Sequence, residues 1–163
     1  MVTHAHSKDD IFRMLSVIPD PEIPVVNIFE MGMLRDVVLD DGGYEVILTP
    51  TYTGCPAMSM IEVDILATLA QNGVKGARVK MVMDPAWTTD WMSGVAKDKL
   101  LNYGIAPPLH SSCNHDVFGH NIIMCPRCHS DDTVMLSRFG ATACKALYQC
   151  NDCKEPFEYF KCH

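Results

Sequence analysis

Two pairs of cysteines carry the plainest chemistry in this sequence. Cys125 and Cys128 are separated by Pro126 and Arg127, Cys150 and Cys153 by Asn151 and Asp152, and 21 residues lie between the pairs. Each pair can turn two sulfurs toward one point, and four thiolates in a tetrahedron are a standard donor set for a structural zinc ion. Cys125 to His129 also spells a c-type haem attachment motif; the second pair and the lack of an export signal favour zinc. His129 follows the first pair where such ribbons commonly carry glycine, so it either takes left-handed backbone or stands in as a ligand. Cys144 and Cys162 fall outside the set.

Cys55 is the second candidate. It sits in Thr49-Pro50-Thr51-Tyr52-Thr53-Gly54-Cys55-Pro56-Ala57-Met58, between an alternating apolar run and a helical one. Pro56 suits the first helical position, where its missing N–H would be unpaired anyway. That predicts Cys55 as the N-cap, with its sulfur at the positive end of the helix dipole, a setting that favours a thiolate. The plain alternative is a small buried residue filling the turn. Asp20 and Glu22 stand among Pro19, Pro21 and Pro24, which stiffen and extend the loop. They are either a rigid carboxylate pair near a site or a solvated turn. His110, Cys113, His115 and His120 suggest a second metal site, but their spacing matches no standard one. No GxSxG, Walker-type or GxGxxG motif is present.

The elements that must hold these residues can be read from pattern. Ser7 with Asp10 forms a capping box before a short helix carrying Ile11, Met14, Leu15 and Ile18. Val37 to Leu39, the turn Asp40 to Gly43, and Tyr44 to Thr49 read as a hairpin. The helix after Cys55 places Met58, Ile61, Ile65, Leu66 and Leu69 on one face and stops near Gly73. Arg78 to Met83 alternates as a strand, and the strand–helix–strand order predicts a right-handed crossover in one sheet. Thr89 is the expected N-cap of a helix with Met92, Ala96, Leu100 and Tyr103 on one face, ended by Gly104. Trp87 and Trp91 flank that cap, one expected in the core and one on the surface. Thr133 to Ser137 and Ala143 to Gln149 are the expected ribbon strands.

The bulk properties set limits. The chain has 163 residues, eight cysteines and a net charge of −7. Residues 1–108 hold 8 basic and 14 acidic side chains, and residues 109–163 hold 5 and 6. Neither part has the basic footprint of a nucleic-acid binder. No apolar run reaches membrane length and the N-terminus lacks a secretory pattern, so a cytoplasmic protein is expected. Cysteines there point to metal or reactive thiols rather than disulfides. The expectation is an α+β domain, a small mixed sheet packed with helices, over residues 1–108, a linker over 109–123 and a zinc ribbon over 124–163. A module of that size has little core of its own, so metal must supply much of its stability.

With these residues in view a resemblance is plain. Asp20-Pro21-Glu22, Ile23-Pro24 and Met31-Gly32-Met33-Leu34 resemble the opening motif of the metal–sulfur cluster biosynthesis family, and Thr49 to Pro56 resembles its cysteine motif. Pro85 to Trp91, Phe139 to Leu147 and Glu155 to Lys161, with the four-cysteine ribbon, are similar to the PaaD family of phenylacetyl-CoA monooxygenase (epoxidase) accessory proteins. The likeness covers 11–108 and 124–163; the stretch Leu109 to Asn121 does not share it, and His129 departs from it. It implies a non-enzymatic factor that assists iron or iron–sulfur cluster assembly or insertion during phenylacetate degradation. Cys55 would be the functional thiol, holding iron or a cluster transiently, with Asp20, Glu22, Thr51 and Thr53 shaping its pocket. Implied partners are the oxygenase and reductase subunits and iron–sulfur assembly proteins. One cysteine supplies one cluster ligand of four, so a homodimer or a partner would complete the set. The alternative it leaves open is a structural or regulatory oxygenase subunit that binds only zinc.

Overall fold

The computed structural model describes residues 6–108 and 122–162. The sequence expectations for His110, Cys113, His115 and His120 lie outside the described residues. By contacts the chain divides into two compact units, Met1–Trp87 and Thr88–His163.

The first unit begins with helix α1, Lys8–Leu15. Its capping box forms as expected: the Ser7 hydroxyl accepts the Asp10 N–H at 3.2 Å, and the Asp10 carboxylate accepts the Ser7 N–H at 3.0 Å. Ile11 and Leu15 are fully buried. The proline loop then folds on itself. Asp20 Oδ1 accepts the N–H groups of Glu22 and Ile23 at 2.7 and 3.0 Å, and the Asp20 N–H donates to the Val26 carbonyl at 2.9 Å. This drives Ile23, Val26 and Ile28 into the core.

Strands β1, Leu34–Asp40, and β2, Gly43–Leu48, form the hairpin, and β2 pairs in parallel with β3, Ala77–Met81. Helix α2, Ala57–Gln71, makes the connection, and its inner face is Ala57, Ile61, Ile65 and Leu69. Gly43, at φ 125°, is required where the hairpin turn passes the start of β3: a Cβ there would meet the Gly76 carbonyl oxygen at 2.2 Å. Trp87 closes the unit. It is 5% exposed, and its indole N–H donates to the Met31 carbonyl at 2.9 Å.

The second unit differs from the sequence reading at its start. One helix from Thr89 was expected. Instead Thr88 caps a 3₁₀ turn, Thr89–Trp91, and Ser93 caps a separate helix α3, Gly94–Tyr103, accepting the Ala96 N–H at 3.0 Å. Ser93-Gly94 supplies a strong cap just where a continuous helix would carry two poor helix formers. Gly104, at φ 94°, ends α3 as expected. Tyr103 is exposed rather than sharing the buried face.

The ribbon sheet has four strands in the order β4-β7-β6-β5: β4 is Ile105–Ala106, β5 Thr133–Ser137, β6 Lys145–Cys150 and β7 Pro156–Phe160. Strand β4 runs parallel to β7; the other neighbours are antiparallel. This pairing groups residues 88–108 with the ribbon, although sequence motifs divided the chain at 108. Ala106, Ile123, Tyr148, Phe157 and Tyr159 form the core with Cys125 and Cys150. Tyr148 stacks on Phe157 with ring centroids 5.9 Å apart. Among the described residues no helix is long and apolar enough to cross a membrane. Cys162 is disulfide-bonded, contrary to the expectation that no cysteine would be.

Candidate functional site

The turn between β2 and α2 presents Cys55. Thr49 is anchored by its N–H to the Met33 carbonyl at 2.9 Å, which carries the chain off the sheet. Gly54, at φ 82°, has open space where a Cβ would go, so its backbone angle rather than crowding asks for glycine. Pro56 already has helical angles, φ −68° and ψ −20°, and the Met58 N–H donates to the Cys55 carbonyl at 3.3 Å. The cap is therefore Pro56 and the helix starts at Ala57, so Cys55 lies one residue before the expected capping position, and no side chain caps the helix.

The electrostatics of this thiol overturn one expectation. A lowered pKa was expected from the helix N-terminus; the thiol is instead pushed up. Burial is the largest cause, since Cys55 is 8% exposed. The Ala57 N–H opposes it, as the helix argument requires, and the Tyr52 hydroxyl helps. The charges of Glu22 and Asp20 raise it further. Near neutral pH Cys55 rests as a thiol.

Those effects also show what lies around the sulfur. The proline loop brings Glu22 and Asp20 within electrostatic reach, Asp20 being buried and Glu22 half-buried. Thr51 is buried in the same turn and Thr53 is exposed; neither side chain bonds the sulfur. Tyr52 was not singled out from sequence. Its position inside the motif was the available signal.

The ribbon cysteines converge. The sulfurs of Cys125, Cys128, Cys150 and Cys153 all lie within 4.8 Å of one another. Cys125 to Cys153 is 3.7 Å, and Cys128 to Cys150 is 3.5 Å. A tetrahedron with metal–sulfur bonds of about 2.3 Å has edges of roughly 3.8 Å, so the donor set fits zinc. The two pairs fold alike. The His129 N–H donates to the Cys125 carbonyl at 3.0 Å, and the Lys154 N–H to the Cys150 carbonyl at 3.1 Å. Both residues take left-handed backbone, φ 62° and 64°. His129 is thus a turn residue, exposed and outside the ligand group.

Backbone donors prepare the sulfurs. The N–H groups of Cys153 and Asp152 hold Cys150 down to about 7, against burial. The Glu155 N–H lowers Cys153, but burial and the neighbouring sulfurs outweigh it and push that thiol up to about 12. Four thiols this close share protons unless a cation joins them.

Comparison with known proteins completes the picture. Residues 8–85 match the model for iron–sulfur cluster assembly proteins, and residues 111–161 match the PaaD zinc beta ribbon domain. The chain is 47% identical over 153 residues to an Escherichia coli (strain K12) protein named as a putative 1,2-phenylacetyl-CoA epoxidase subunit, covering 94% of this chain and 92% of that one. It is 38% identical over 89 residues to a Porphyromonas gingivalis protein named "Fe-S protein maturation auxiliary factor", covering 53% of this chain and 84% of that one. Among solved structures, a domain of unknown function, DUF59, from Bacillus anthracis superposes with a TM-score of 0.53 at 30% identity, covering 57% of this chain and 90% of that one. A conserved hypothetical protein from Thermotoga maritima gives 0.51 at 27% identity, over 61% and 98% of the two chains. The chain belongs to the PaaD family, in which an iron–sulfur cluster assembly domain is joined to a zinc beta ribbon.

Proposed function

We propose that this chain is a non-enzymatic maturation factor for a phenylacetyl-CoA oxygenase (epoxidase) complex, acting in the cytoplasm, with Cys55 as the working thiol. The observation that carries the reading is the setting of Cys55: a thiol in the turn just before α2, with Glu22 and Asp20 close enough to act on its charge. Iron or an iron–sulfur cluster is the cargo. A rigid turn offers one soft ligand, and the carboxylates attract a cation to it. Thr51 and Thr53 line the same turn. In the ribbon, Cys125, Cys128, Cys150 and Cys153 hold a zinc ion, which staples the module together and takes no part in transfer. The oxygenase and reductase subunits are the clients. The names of the maturation factors from Porphyromonas gingivalis, Bacillus subtilis and Staphylococcus aureus support the role.

Cys55→Ser tests it. The iron content of the oxygenase and its reductase, made alongside the variant, should fall sharply, as should growth on phenylacetate. The variant's fold and zinc content should not change. Wild-type iron loading by a folded Cys55→Ser would sink the role of this thiol. A second reading, a structural subunit of the oxygenase binding only zinc, is favoured by the word "subunit" in the name of the Escherichia coli relative. Reconstitution with iron and sulfide separates the two: the second reading predicts no iron uptake that depends on Cys55.

A further inference from the structure

Strand β5 is the outermost strand of the ribbon sheet, so one row of its N–H and C=O groups faces away from β6. Proteins ordinarily blunt such an edge with charge, proline, brevity, a bulge or a covering segment. The other edges here follow that rule. Arg35, Asp36 and Asp40 lie on β1, Arg78 and Lys80 on β3, and β4 is only two residues long. Strand β5, Thr133-Val134-Met135-Leu136-Ser137, has neither charge nor proline. Val134, Met135 and Leu136 are 44%, 47% and 52% exposed. A bulge between Met135 and Ser137 leaves its first three residues as the regular part.

The ends of the strand are charged with opposite sign. Asp131 and Asp132 precede it and Arg138 follows it. The side chains of Asp131 and Arg138 are exposed, and neither makes a hydrogen bond or ion pair among the described residues. Asp132 is held by the Asn151 amide at 2.7 Å. A parallel neighbour of the same sequence would set acid against acid and Arg138 against Arg138. An antiparallel one sets the acidic end of each strand against the basic end of the other.

We propose that β5 pairs with β5 of a second copy, antiparallel about a two-fold axis, joining two four-stranded ribbon sheets into one of eight strands. Backbone bonds across the axis satisfy the open edge, Val134 and Leu136 of the two copies cover each other, and Asp131 meets Arg138 of the second copy twice by symmetry. The contact is one short strand pair, smaller than a standard interface, so association falls in the micromolar range. Nothing in it involves Cys55, so it stands or fails apart from the maturation role.

Sedimentation equilibrium on the zinc-loaded full chain tests this, from low micromolar to ~200 µM. The wild type should approach twice 18.1 kDa as concentration rises. Val134→Lys should hold the chain monomeric. Arg138→Glu and Asp131→Arg should each raise the dissociation constant by about tenfold or more, because like charges then meet at both ends. Mixed together, these two variants should dimerise with each other, since every charged contact is again between opposite signs. Unchanged zinc content and circular dichroism certify each fold. A wild type that stays monomeric throughout overturns the proposal. So does a dimer that these variants leave intact, or a mixture of the two charge variants that associates no better than either alone.

Discussion

Cys55 shows how two physical terms of opposite sign compete at one atom. The helix N-terminus favours the thiolate, while burial and the carboxylates of Glu22 and Asp20 favour the thiol, and the latter prevail. Alkylation of Cys55 should therefore be slower at neutral pH than that of an ordinary thiol, and should rise only as pH passes the normal thiol range. Glu22→Gln should speed it several-fold, read by timed labelling and mass spectrometry. The sign for stability follows. The folded pKa lies above the unfolded one, so this group's contribution is intact below the unfolded pKa near 8.5 and declines as pH climbs toward the folded value. The sequence showed that a thiol stood at a helix start. It could not show how deep the thiol sat, because depth is set by tertiary packing over the turn, which local pattern does not carry. His129 offers a second residue-scale test. A non-glycine residue in left-handed backbone costs about 1 kcal/mol or more, so His129→Gly should leave the ribbon as stable or more stable by up to ~1 kcal/mol. Chemical denaturation of the metal-loaded chain would measure it.

At the scale of elements, the ribbon is held by more than its sulfurs. Lys145 is 4% exposed, and its ammonium lies 2.6 Å from Glu158. Glu158 also accepts the Ala141 N–H at 2.6 Å, so one carboxylate ties β6, β7 and the turn before them. Removing it strands a buried cation, and Glu158→Ala should cost about 3 kcal/mol, measured by denaturant melting with metal bound. A Cβ on Gly140 would meet Glu158 Oε1 at 2.5 Å, so Gly140→Ala should disturb the same pair. The cysteine spacing and the strands at 133–137 and 145–150 were legible in the sequence because ligand spacing and turn signals are local. Strand β7 was not singled out, although Phe157 and Tyr159 point inward on either side of Glu158 and carry the period of two. Two-residue β4 has no period at all. Only its partner makes it a strand.

For the whole molecule, that partnership sets which parts loosen together. Cys128→Ser, or stripping the metal with a chelator, should melt the ribbon; because β4 pairs with β7, faster amide exchange should spread to Ile105 and Ala106 while α2 stays protected. Hydrogen-exchange mass spectrometry would check this, and protection of Ile105 and Ala106 in the metal-free chain would contradict it. The same pairing has a consequence for how the chain is made. The unit ending at Trp87 is complete once its last residue has emerged, and can fold as synthesis proceeds. Strand β4 emerges soon afterwards but must wait for β7, roughly fifty residues further on, which at ~5–20 residues per second is a delay on the order of 3 to 10 seconds. During that interval the first module is finished and the second has no sheet edge to receive its earliest strand. The nascent chain thus has a built-in order of birth: a folded cluster-assembly domain first, the four-cysteine ribbon after it.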